Sequence, residues 1–63
     1  MPKKFKLKLT GTDGNAFAIM GAFKVSAKRA GWTTAEVGVV LEEMMSGDYN
    51  HLLATAMKHA NVS

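Results

Sequence analysis

The stretch Gly11 to Gly31, GTDGNAFAIMGAFKVSAKRAG, decides how the rest of the chain is read. It opens on turn residues, Gly11, Asp13, Gly14 and Asn15, and passes into the longest helical pattern in the sequence. Asp13 or Asn15 can accept a hydrogen bond from the first free amides, so a helix is expected from Asn15 to Ala30. At about 100° per residue, Ala16, Ile19, Met20, Phe23, Ala27 and Ala30 gather on one face. Phe17, Lys24 and Lys28 lie beside that face, and Ala18, Val25 and Arg29 lie opposite. The first two turns are apolar nearly all round, which calls for burial on two sides or for a patch that meets a partner. Gly21 in mid-helix costs about 1 kcal/mol relative to alanine, a cost that close approach of another backbone would offset. Lys28 and Arg29 suit the negative end of the helix dipole, and Gly31 is a fitting stop.

Upstream, Phe5-Lys6-Leu7-Lys8-Leu9 alternates apolar and cationic residues with the period of a half-buried strand. Phe5, Leu7 and Leu9 face a core; Lys4, Lys6 and Lys8 face water or an anion. A strand cannot satisfy its backbone alone. Its partner is either the tail Asn61-Val62-Ser63 or the same strand of a second copy. Downstream, Thr33 and Glu36 fit a capping box that starts a helix from Thr34 to Ser46, burying Val37, Val40, Leu41 and Met44 and exposing Glu36 and Glu43. Gly47 ends it, and Asp48 caps a last helix from Tyr49 to Ala60. There Tyr49, Leu52, Leu53, Ala56 and Ala60 turn inward, with His51 and Lys58 outward. The expected fold is one small domain over residues 1–63, mainly α with a short N-terminal strand, in the order β-α-α-α.

A chain of 63 residues buries only about 60% of its unfolded surface, so its core is marginal. There is no cysteine, which excludes disulfides and thiolate metal sites. Lysines interrupt the start where a signal peptide would be apolar, and no apolar run spans a bilayer, so a soluble, cytoplasmic protein without a membrane partner is expected. The glycine loop lacks a phosphate-binding motif and reads as a turn and cap. His51 and His59 are too far apart around the helix to share a metal, and neither the serines nor Glu42-Glu43 has the context of a catalytic group. The chain is therefore expected to be no enzyme, with no cofactor, metal or small-molecule substrate. Met20, Met44, Met45 and Met57 read as flexible core filler.

The charge distribution carries more information. Residues 1–31 hold +6 and residues 32–63 hold −3, which together make the net +3. Such asymmetry points to an anionic partner for the first half, to two halves that complement each other, or simply to solvated charged faces. Lys4, Lys6, Lys8, Lys24, Lys28 and Arg29 are the candidate contacts for nucleic acid or another anionic partner. Phe17, Val25 and Trp32 are the candidate apolar contacts, although Trp32 reads first as a lid on the core and only second as a binding anchor.

The strand FKLKL and the segment AGWTTAEVGVVLEEM resemble the ribbon and second helix of ribbon-helix-helix DNA-binding dimers. That resemblance implies a homodimer in which Lys4, Lys6 and Lys8 of two copies enter the major groove, with a phosphate at the helix start near Thr33 and Thr34. Here a GTDG loop separates strand from helix, and a third helix follows. Asp13-Gly14-Asn15-Ala16-Phe17, with Ser46-Gly47-Asp48-Tyr49 ahead of Leu52-Leu53, is similar to small uncharacterised proteins encoded by bacteriophages and prophages. This second resemblance implies an origin and no particular chemistry. The function expected is a non-enzymatic accessory role, binding a host protein or nucleic acid; the alternative is a ribbon-type DNA binder.

Overall fold

The structure, a computed structural model, describes residues 4–9 and 14–62. Gly11, Thr12 and Asp13 of the expected turn, and Ser63 of the tail, lie outside them. The element order is β1 (Phe5–Leu7), α1 (Ala16–Arg29), α2 (Thr34–Met45), α3 (Tyr49–His59) and β2 (Ala60–Val62). β1 and β2 pair in parallel, with Phe5 opposite Ala60, Lys6 opposite Asn61 and Leu7 opposite Val62. Parallel neighbours need a long crossover; the three helices supply it. The strand is thus paired with the chain's own tail.

α1 starts on Asn15, whose Oδ1 accepts from the Ala18 amide at 2.8 Å. Its end sets the position of the next aromatic. Gly31 adopts φ +102° and donates to Lys28 O at 3.1 Å, while the Trp32 amide donates to Ala27 O at 3.0 Å. These two bonds form a Schellman motif, which turns the residue after the glycine back onto the helix. Trp32 is accordingly buried beside Ala27. Ala30, expected on the core face, is exposed because it is the C-terminal cap of α1.

The core forms where β1, α1 and this turn meet. Phe5, Phe23 and Trp32 pack edge to face in a triangle, with centroids 5.2, 5.5 and 5.7 Å apart. This is the spacing aromatic pairs prefer. Leu7, Ile19, Val37, Val40, Met44, Leu52 and Ala56 complete the core. Thr55 is buried as well, its hydroxyl donating to His51 O at 2.8 Å, whereas Trp32 Nε1 is buried without a hydrogen-bond partner. Of the methionines expected as filler, Met44 is buried, whereas Met45 and Met57 are exposed.

The capping box at Thr33 forms in full. Thr33 Oγ1 accepts from the Glu36 amide at 3.2 Å, and Glu36 Oε1 accepts from the Thr33 amide at 2.8 Å. Those bonds from Thr33, the backbone one first, hold the Glu36 carboxyl below the usual carboxylate value. A depressed folded value means that the cap stabilises above the unfolded pKa and is lost as pH falls through the folded one.

Between α2 and α3 the polar groups do more than expected. Asp48 Oδ1 caps α3 by accepting from the His51 amide at 2.9 Å. His51 does not point outward. Its Nε2 lies 2.9 Å from the Glu43 carbonyl, which also accepts from the Ser46 amide, and 3.2 Å from Ser46 Oγ, at the end of α2. A Cβ at Gly47 would sit 2.8 Å from the His51 Cβ and Cγ, so the ring occupies the room that glycine leaves. Tyr49, expected inward, is half exposed, with its hydroxyl donating to Gly14 O and tying α3 to the start of α1.

Not every helical glycine is needed. An added Cβ at Gly21 or at Gly38 meets nothing within 4 Å, and neither has positive φ. Gly21→Ala and Gly38→Ala should therefore each stabilise the protein by about 0.5–1 kcal/mol, raising Tm by roughly 2–8 °C. Gly31→Ala should do the opposite, by about 1–2 kcal/mol, because alanine is strained at positive φ. Thermal melts of the three variants check the order of stability.

Candidate macromolecule-binding surface

The alternation of β1 sends Phe5 and Leu7 into the core and leaves Lys4, Lys6 and Lys8 exposed on the other side. Lys4 Nζ donates to Met57 O at 3.4 Å, so it also serves the free carbonyl end of α3. On α1, Lys24, Lys28 and Arg29 are exposed in the last two turns. Phe5 against Phe23 links the two sets through the core rather than across the surface.

Among the described residues, none of these six cations forms an ion pair. Of the acids of the second half, Glu36 and Asp48 cap helices and Glu43 meets the end of α3. Glu43, expected on an outer face, is half buried beside the end of α3, with Lys58 Nζ 3.8 Å from Oε2 and His59 Nε2 3.7 Å from Oε1. Such a pair contributes little to stability when exposed. Among the described residues, no ion pair joins the two halves of the chain.

Of the three candidate apolar contacts, Phe17 is 82% exposed and Val25 56%. Trp32 is 5% exposed and belongs to the core triangle, so it is not placed to anchor a partner. Sequence reading missed a further feature. An open, apolar groove of about 260 Å³ runs between the starts of α1 and α3 and the end of α2, lined by Phe17, Met20, Met44, Met45, Tyr49 and Leu52. The clue in the sequence was the apolar surplus of the first turns of α1.

The one serine–histidine contact among the described residues, Ser46 with His51, has the distance of a catalytic pair without its bonding pattern. Ser46 Oγ donates to Glu43 O at 2.7 Å, and His51 Nε2 reaches the same carbonyl. A proton on Nε2 that serves this carbonyl leaves that nitrogen no lone pair with which to take one from serine. The cluster is a helix cap. Among the described residues there is no group of three metal-ligating side chains, and no helix is long and apolar enough to cross a membrane. Compared with protein-family models, curated proteins and solved structures, the chain has no match.

Proposed function

We propose that this protein is a non-enzymatic accessory module, of the small phage-encoded kind, that binds a host macromolecule through its N-terminal cations together with Phe17 and Val25. The observation that carries this reading is that all six cations are exposed and none is paired with an acid among the described residues. Lysines that only kept an edge strand from aggregating would account for β1, but not for Lys24 and Lys28 beside two exposed apolar residues on α1.

The test is retention from host lysate on immobilised wild-type protein, on Lys6→Glu/Lys8→Glu, and on Lys24→Glu/Lys28→Glu/Arg29→Glu. A protein or nucleic acid held by wild type at moderate salt should be lost from at least one variant. Identical retention by all three, or none by any, sinks the reading.

A second reading is duplex DNA binding by the outer face of β1, favoured by the free ammonium groups of Lys6 and Lys8. Because β1 is paired with β2 of the same chain, that face carries one row of lysines and departs from the two-copy ribbon of ribbon-helix-helix proteins. Such binding would weaken steeply with salt through counterion release, and would be abolished by Lys4→Ala/Lys6→Ala/Lys8→Ala.

A further inference from the structure

α1 buries Ile19, Phe23 and Ala27, so its opposite side faces solvent. There Phe17, Gly21 and Val25 follow one another at intervals of four residues and form a single ridge along the helix. Helical spacing puts Lys24 and Lys28 along one flank of the ridge, and Arg29, four residues after Val25, at its C-terminal end. The surface is thus an apolar row bordered by cations.

Gly21 sits at the centre of the row and is unexplained by the protein alone. It is exposed, has no positive φ, and among the described residues nothing approaches its missing Cβ. The free protein therefore carries the cost of a mid-helix glycine, about 1 kcal/mol, without return. A low point between Phe17 and Val25 does serve a second helix laid across the row, since helix axes come closest where the side chains between them are smallest. At the N-terminal end of the row Phe17 also borders the apolar groove, whose methionines can adapt to one large side chain.

We infer that this face of α1 docks an amphipathic helix of another protein, one whose apolar row is flanked by aspartate or glutamate. The inference rests on the binding role proposed above and names its partner class. Charge complementarity selects the occupant. A second copy meeting the same face about a two-fold axis would set Lys24, Lys28 and Arg29 against their own kind. A nucleic acid would satisfy the cations but leave Phe17, Val25 and the groove uncovered.

The probe is a synthetic helical peptide with a leucine row flanked by glutamates, set against the same peptide with lysines in their place, titrated by fluorescence anisotropy. The full chain should bind the glutamate peptide saturably and at least tenfold more tightly than the lysine peptide. Lys24→Glu/Lys28→Glu should reverse that preference. Gly21→Gln should raise Tm yet weaken the glutamate peptide at least tenfold, a combination that a merely structural glycine does not give. Equal affinity for both peptides, no effect of Gly21→Gln, or duplex DNA displacing the peptide with the strand lysines required would each overturn the inference. So would the absence of peptide binding, even where lysate retention still depends on the cations and the broader binding role survives; loss of both overturns both.

Discussion

Phe23→Ala should leave the protein largely unfolded at 25 °C. Phe23 is completely buried and is the helix member of the triangle with Phe5 and Trp32. Truncating a buried phenylalanine costs about 3–5 kcal/mol, from lost transfer energy and from the cavity left behind. A chain of 63 residues has a total stability of only about 3–9 kcal/mol on the usual per-residue scale. The loss is therefore comparable to the whole. The same change also removes the surface on which β1 rests, because Phe5 meets Phe23 at 5.2 Å. Urea titration followed by Trp32 fluorescence reads the effect. Phe23→Leu keeps most of the volume and should stay folded, with a midpoint between the other two. A midpoint for Phe23→Ala equal to wild type would mean that the triangle is not the centre of the core.

What the sequence made legible was mostly local. The capping box at Thr33 and Glu36 and the cap at Asp48 involve residues three apart, and turn chemistry of that range is written in the chain itself. The alternation of Phe5, Lys6 and Leu7 likewise foretold which side of β1 is buried. The three helices fall within a residue or so of where periodicity and caps put them. The choice between tail and second copy was not legible, because β2 has only three residues, Ala60 to Val62. That is too short for a pattern, and its pairing depends on three helices bringing it home.

Trp32 was undecided for a different reason. Its burial follows from the positive φ of Gly31, and glycine after a basic last turn with an apolar residue next is a signal that could have been used. His51 left no such signal. A periodic reading puts it outward, while the ring folds back onto the Glu43 carbonyl because Gly47 leaves room. As for the candidate surface, exposure of the cations was expected from their spacing. That none would meet Glu36, Glu42, Glu43 or Asp48 depends on tertiary arrangement alone, and so does the groove behind Phe17.

Joining β1 to β2 covalently should stabilise the protein by about 4 kcal/mol. Lys6 and Asn61 are partners in the parallel register, and both are exposed. Neighbouring strands lie roughly 5 Å apart, within the reach of a disulfide. The chain has no cysteine of its own, so Lys6→Cys/Asn61→Cys can form only the intended bridge or a bridge between copies. The closed loop would take in nearly the whole chain, and the chain-entropy relation for a loop of about 50–60 residues gives the figure above as an upper value. Urea midpoints of the oxidised and reduced forms measure it, the reduced form serving as its own control for the two substitutions.

The same variant decides the matter on which the functional reading stands, that one chain completes its own sheet and so leaves its cations to a partner. The measurement is the mass of the oxidised Lys6→Cys/Asn61→Cys protein under non-reducing, denaturing conditions. The parallel pairing of β1 with β2 predicts a cross-linked single chain, free of thiol and of monomer mass. Disulfide-linked dimers, or thiols that stay free under mild oxidation, would contradict it and return the lysine strand to a ribbon shared between copies.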